Sequence, residues 1–155
     1  MVALAQSIRI ETYTDKYHQD IVNLVQNFHK EAVSAYDDLF DAMALCDRIA
    51  GLKDSQAQNA FLLIVDDVCQ GLLFGIEYKS MVNNRRVFQE AIWYVNEPFR
   101  KYGVKLLRIA EKELKSRGVS IMIMAVLENS KTEKIKSFYG RLGYKPLEVH
   151  YIRSL

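Results

Sequence analysis

The chain has 155 residues, half of them hydrophobic and 26% charged, which is ordinary composition for a soluble globular protein able to bury one core. Lys and Arg number 21 against 19 Asp and Glu, a net charge of +2 that argues against a dedicated nucleic-acid or membrane-surface protein. No apolar run approaches the roughly 20 residues of a membrane span, and MVALAQSIRIE lacks the basic start and apolar core of a signal peptide. Cys46 and Cys69 lie far apart and form no CxxC pair, so no zinc site or disulfide scaffold is expected. Two free thiols fit a reducing cytoplasm. With 2 prolines, 7 glycines and no biased tract, residues 1–155 read as one domain without linker or repeat.

Ser7–Tyr13 alternates apolar and polar residues and predicts a first strand. Ile21, Leu24, Val25 and Phe28 follow helical spacing, which predicts a helix over Asp15–Lys30. Ser34 opens S-A-Y-D, a start signal for a second helix that continues through Leu39, Met43, Cys46 and Ile49 and stops at Gly51. Phe61–Val65 and Gly71–Tyr78 are β-rich runs joined at Asp66-Asp67, a hairpin signal, and Asn83-Asn84 turns the chain into Val87–Val95. A helix is predicted over Val104–Arg117, closed by Gly118. VSIMIMAVL (Val119–Leu127) is almost wholly apolar and reads as a central strand buried on both faces, parallel to Val87–Val95. Lys131–Leu142 predicts a short helix ended by Gly143, and Tyr144–Arg153 one or two last strands with Pro146 at a bulge or edge. The order implies a mixed α/β architecture.

The segment NEPFRKYGVKLL, residues 96–107, carries the strongest functional signal. A strand running tightly into a helix leaves the first helical N–H groups without intrahelical partners, and the helix dipole favours an anion there. Gly103 permits close approach of a ligand or backbone. Arg100, Lys101 and Lys105 place three cations where the dipole disfavours them, an arrangement that makes sense if an anion binds. The plain alternative is a solvated helix start with Gly103 accommodating packing. Neither GxGxxG nor GxxxxGK[ST] occurs in the chain.

Two motifs together are more specific. Val95 ends a strand, Arg100, Lys101, Tyr102, Gly103, Val104 and Lys105 follow it, and Phe138, Tyr139, Leu142, Gly143 and Tyr144 form F-Y-x-x-L-G-Y downstream. In these features the chain resembles the GNAT superfamily of N-acetyltransferases, whose pyrophosphate loop is [RQ]-x-x-G-x-[GA] and whose later signature is F-Y-x-x-L-G-[FY]. The resemblance covers Phe61 to the C-terminus, and the preceding element order agrees with it. It implies a central mixed, mostly antiparallel sheet of six to seven strands flanked by about four helices. One departure stands out: Lys105 replaces the usual Gly or Ala. An outward side chain would leave the cradle able to form, whereas an inward one would fill it.

The resemblance further implies transfer of an acetyl group from acetyl-coenzyme A to a primary amine by direct attack, with no metal. The backbone of Tyr94 and Val95 would hold the pantetheine and acetyl carbonyl, Arg100 through Lys105 the pyrophosphate, and Asn129 the cofactor arm. Tyr139 matches the family's acid. For the general base Glu90 stands out as a carboxylate in an apolar strand, with Glu77 and Tyr78 in reserve; a one-residue bulge would exchange Glu90 for Gln89 at the active face. Each residue also has a plainer reading: Tyr139 as ring packing, Asn129 as a helix cap, Glu90 as a surface glutamate at a strand edge. Trp93 reads as packing, Arg85-Arg86 as a solvated hairpin tip, and His18, His29 and His150 as scattered residues without ligand spacing. Asp37, Asp38, Asp41 and Asp47 on the second helix would suit a cationic amine, although a solvated helix face is the simpler reading. The acceptor is a small molecule or peptide bearing an amine, nucleic acid and membrane are not expected as partners, and the family habit suggests a homodimer. The competing functions are a catalytically inactive acyl-coenzyme A-binding module of the same fold and, most weakly supported, an adaptor using the basic loop.

Overall fold

The computed structural model describes residues 5–36, 38–54, 58–129 and 131–155. Strands β1 (Ile8–Thr12), β2 (Ala60–Val65), β3 (Val68–Lys79), β4 (Arg86–Val95) and β5 (Ile121–Ile123) form one sheet in that order. The first four pair antiparallel, and β4 pairs parallel with β5. The two turns read from the sequence are present. Asp66 and Asp67 carry φ of 49° and 67°, the left-handed pair that a tight primed hairpin needs, and Asn84 has φ of 60°.

Helices pack on both faces of the sheet. On one side α1 (His18–Phe28) and α2 (Ala42–Ala50) bring Ile21, Leu24, Val25 and Ile49 onto Leu62, Ile64, Leu72 and Ile92. On the other, α3 (Gly103–Ser116) sets Leu106, Leu107, Ala110 and Leu114 on Phe61, Leu63, Leu73 and Phe88. Each fully buried aliphatic side chain contributes roughly 1.5–3 kcal/mol of transfer free energy. α4 (Thr132–Arg141) completes the described helices. Gly118 and Gly143, both at φ of 90°, end α3 and α4 in the conformation that closes a helix with 6→1 bonds, Val119 N–H to Leu114 O and Tyr144 N–H to Tyr139 O.

Several expectations are corrected. The first helix is a 3-10 turn (Asp15–Tyr17), then α1, then a π turn over His29–Val33. The second helix begins at Ala42 and not at Ser34, because Asp41 supplies the cap, its carboxylate accepting from Ala44 N–H at 3.0 Å. Of the four aspartates assigned to that helix, only Asp47 lies on it. Asp41 caps it, Asp38 precedes it, and Asp37 lies outside the described residues. The Val119–Leu127 strand shrinks to the half-buried Ile121–Ile123 at the end of the described sheet. Tyr144–Arg153 forms no strand, and residues 145–155 are exposed, so the described sheet has five strands where six to seven were expected.

The bend in β4 positions the functional site. Phe74 pairs with Ile92 but Gly75 pairs with Glu90, leaving Ala91 as an extra residue in β4. This bulge reverses the side-chain parity: Phe88 packs on the α3 face, whereas Ile92 packs on the α1 face. The ladder between β4 and β5 stops at Gln89–Ile123, immediately before the bulge. Beyond it β4 (Glu90–Val95) and residues 124–127 diverge without pairing, so the β5-facing edge of β4 has no strand partner among the described residues.

Candidate active site in the gap beside strand 4

The gap opened by the bulge gathers the residues singled out from sequence. The Glu90 carboxylate accepts from the Ala125 N–H at 2.7 Å, reaching from one lip to the other. Desolvation raises its pKa to about 7, against the opposing effect of backbone N–H groups of Ala125 and Trp93. On the same Ala125, the Tyr139 hydroxyl donates to the carbonyl oxygen at 3.2 Å. Tyr139 is buried, and desolvation followed by the nearby Glu90 charge pushes its phenol well above the ordinary value. A carboxyl group and a phenol thus meet at one residue, Ala125, on its N–H and its carbonyl, beside strand backbone that has no strand partner among the described residues. The bulge falls after both Gln89 and Glu90 and does not exchange them: the Gln89 side chain accepts from the Tyr78 hydroxyl at 3.1 Å.

An aromatic row walls the α3 side. Trp93 stacks on Phe138 with centroids 6.0 Å apart and lies 5.9 Å from Tyr139, which in turn lies 5.4 Å from Tyr144. The Tyr144 hydroxyl donates to Glu111 at 2.6 Å, anchoring α4 to α3. Among the described residues the buried Trp93 indole Nε1 has no hydrogen-bond partner, an orphan donor beside the gap.

At the open end of the gap β4 runs through a 3-10 turn (Glu97–Tyr102) into α3. Asn96 anchors the turn, its N–H and side-chain Nδ2 donating to Gln70 at 2.9 and 2.8 Å. Part of the expected cradle is spent internally, with Phe99 N–H on Asn96 O and Gly103 N–H on Arg100 O. No side chain caps α3 and its first turn has no acidic residue. Gly103 has an ordinary helical φ of −58°, and an added Cβ would meet Trp93 and Val95 at 3.6 and 3.8 Å. Its missing side chain therefore faces the sheet, the packing accommodation that is the plainer of the sequence readings. Lys101 and Lys105 are exposed, Val104 and Tyr102 half-buried, and the Lys101 ammonium lies 5.1 Å over the Tyr102 ring.

Arg100 turns back across the gap. Its Nε donates to Val95 O at 3.1 Å, its guanidinium lies 5.7 Å over the Tyr94 ring, and its Nη2 reaches both Glu31 oxygens at 2.6 Å. Glu31 also accepts from Lys131 Nζ at 2.6 Å and from the Tyr94 hydroxyl at 2.9 Å. Desolvation works against its charge, yet the bonds from Lys131, Arg100 and Tyr94 outweigh it and hold the carboxyl at about 2. Asn129 lies two residues before Lys131, the N-cap of α4, and shapes the turn into that helix: its Oδ1 accepts from Lys131 N–H at 2.9 Å and its carbonyl from the Thr132 hydroxyl at 2.7 Å.

Other candidates are placed outside the gap. Glu77 pairs with Arg86, which also donates to the Arg117 carbonyl, and Arg85 binds Ser120 through two bonds, so these arginines tie the hairpin to the turn after α3. His18 meets the Tyr13 hydroxyl, His29 stacks on Phe40, and the exposed His150 pairs with Glu148. An open cavity of about 700 Å³ lies along residues 38–43. Phe40 in its lining packs edge-on against Phe28, which packs in the same way on Tyr94. No helix among the described residues is long and apolar enough to cross a membrane. Nothing in the sequence singles out Glu31 or Lys131: one follows the first predicted helix, the other opens the last, and the two charges meet only in the fold.

No family model matches the chain, and no curated protein matches it either. Many solved structures share its fold. A ribosomal-protein-alanine N-acetyltransferase from Brucella melitensis superposes with a TM-score of 0.72 at 14% identity, covering 96% of this chain and 99% of that one. An aminoglycoside N-acetyltransferase in complex with CoA gives 0.69 at 15% identity over 99% of both chains. Glucosamine-6-phosphate N-acetyltransferase from Arabidopsis thaliana gives 0.68 at 12% identity over 96% and 98%. The chain has the fold of the GNAT-type acetyltransferases, with a described sheet of five strands.

Proposed function

We propose that the protein transfers an acetyl group from acetyl-coenzyme A to a primary amine by direct attack. The observation that carries this reading is the convergence of Glu90 and Tyr139 on Ala125, beside the unpartnered edge of β4. Three structural neighbours are named as N-acetyltransferases and one was solved with CoA, which favours the same chemistry here. The thioester supplies an activated acetyl carbonyl. The gap suits it: beyond Gln89 the edge of β4 turned away from β3 has no strand partner among the described residues, and Arg100, Lys101 and Lys105 stand at its open end.

Glu90 accepts the proton that the amine loses as its nitrogen bonds to the acetyl carbon. A carboxyl group with a pKa near 7 combines substantial ionisation at neutral pH with useful basicity. The backbone N–H of Val95, which points away from β3 whereas that of Tyr94 belongs to the β3 ladder, steadies the carbonyl oxygen as charge develops. Tyr139 gives a proton to the departing sulfur as the carbon–sulfur bond breaks and regains one from solvent. The end of the 3-10 turn and the start of α3, from Lys101 through Tyr102, Gly103 and Val104 to Lys105, hold the pyrophosphate, and Asn129 borders the pantetheine arm. Asp38 and Asp41 at the 700 Å³ cavity supply negative charge for a cationic acceptor. The two buried thiols, Cys46 and Cys69, suit a reducing cytoplasm.

A second reading, a binding module without turnover, is favoured by one feature: the Tyr139 hydroxyl is already bonded to Ala125 and its phenol is a weakened acid. Thermal shift and thiol release separate the two. Acetyl-coenzyme A at 100-fold its dissociation constant should stabilise the protein by about 2.7 kcal/mol, and absence of any shift rules out both. Thiol release across a panel of amines should then fall roughly 10²-fold or more in Tyr139→Phe. Binding without amine-dependent release would leave the binding module.

A further inference from the structure

The gap is spanned twice by carboxylates. At its base Glu90 crosses from β4 to Ala125, and at its mouth Glu31 reaches both lips, Arg100 after β4 and Lys131 at the start of α4. Glu31 belongs to neither lip. It comes from the π turn after α1, and its oxygens are gripped by two cations at 2.6 Å and by the Tyr94 hydroxyl at 2.9 Å. Two basic groups and a phenol converging on one anionic group make a site with the chemistry of a phosphate receptor. The guanidinium is held for this purpose, with its Nε fixed by the Val95 carbonyl and its plane over the Tyr94 ring, and only Nη2 is given to the carboxylate.

We propose that Arg100 and Lys131 form a phosphate-binding pair for the ligand entering this gap, and that Glu31 is an internal anion occupying the pair until the ligand's phosphate takes its place. The exchange keeps both cations neutralised while removing the bridge between the lips. Lys131 is thereby a cofactor-binding residue, and Glu31 sets the affinity by competing for the same donors. This inference rests on the coenzyme A reading above and is tested so that the two fail separately.

Calorimetric titration of coenzyme A into wild type, Glu31→Gln, Lys131→Ala and the double variant gives the measurement, with pantetheine, which lacks phosphate, as the second ligand. Glu31→Gln is close to isosteric and should bind coenzyme A about tenfold tighter, a gain equivalent to about 1.4 kcal/mol. It should leave pantetheine affinity unchanged. Lys131→Ala should weaken coenzyme A binding, and the double variant should lose the gain. A Glu31→Gln protein that is folded and binds coenzyme A as wild type does, or more weakly, overturns the displacement while leaving the proposed function standing. So does an equal gain for pantetheine, which would trace the effect to loosened structure. No binding by any of the four proteins overturns both readings together.

Discussion

Glu90 is the residue in which burial and chemistry are most tightly joined. Its carboxyl group lies in the gap with a backbone N–H at 2.7 Å, and desolvation lifts its pKa to about 7. If Glu90 is the base, kcat/KM rises with pH through about 7 to a plateau, because only the ionised form accepts a proton. Glu90→Gln should remove that limb and lower the rate at least ~10²-fold. Linkage makes a second, independent prediction. A carboxyl whose folded pKa exceeds its unfolded value stabilises the fold fully below the unfolded pKa and loses that contribution as pH climbs through the folded one. Wild type should therefore lose up to about 3 kcal/mol between pH 4.5 and 8 that Glu90→Gln keeps, since the amide still accepts from Ala125 and never ionises. Denaturant titrations at the two pH values check this. Equal stability differences at both would show that Glu90 ionises freely and has no claim on the gap.

Between residue and fold stands the bulge that turns β4 away from β5. Opposite it lies Gly75, where an added Cβ would come within 2.3 Å of the Gln89 carbonyl oxygen and 2.5 Å of the Phe88 ring. Backbone and a packed core ring both resist moving, so Gly75→Ala should cost about 3 kcal/mol, at the upper end of overpacking penalties. A denaturant midpoint shift at constant m-value is the check, and a change below about 0.5 kcal/mol would show the bulge adapts freely. Alternating Ile8 and Ile10, the Asp66-Asp67 and Asn83-Asn84 turns, and the Leu107-Ala110-Leu114 spacing each set a local structure by their own chemistry, and all stand in the fold. The second helix was misplaced because Ser34 and Asp41 are both competent caps, and only packing chose Asp41. VSIMIMAVL pairs over Ile121–Ile123 alone: its composition speaks for burial, but strand pairing is decided by the neighbour, and β4 departs after Gln89. At the site, Glu90 stands out as a carboxylate in an apolar strand and Tyr139 through the resemblance of F-Y-x-x-L-G-Y, and the fold brings both onto Ala125. Glu31 lies 69 residues from Arg100 and 100 from Lys131, a separation no local pattern encodes.

For the molecule as a whole, stability resides in two apolar layers on opposite faces of the sheet, and neither extends past Tyr144. Leu147, Val149, Tyr151, Ile152 and Leu155 are all largely exposed, and His150 only meets Glu148 two residues away. A segment that buries no apolar surface adds nothing to the transfer free energy, so its ordering is not supported by the core. Truncation after Tyr144 should leave the thermal midpoint of the protein within about 2 °C of the full chain, corresponding to less than about 0.5 kcal/mol for a domain of this size. It should also reduce self-association, because the removed residues form the largest run of exposed apolar side chains outside the β3–β4 turn, where Met81 and Val82 are bare. Light scattering alongside thermal unfolding reads both quantities on one sample. A midpoint lowered by 8 °C or more would place the segment against the sheet in solution, and the free side of β5 would then be the edge it covers.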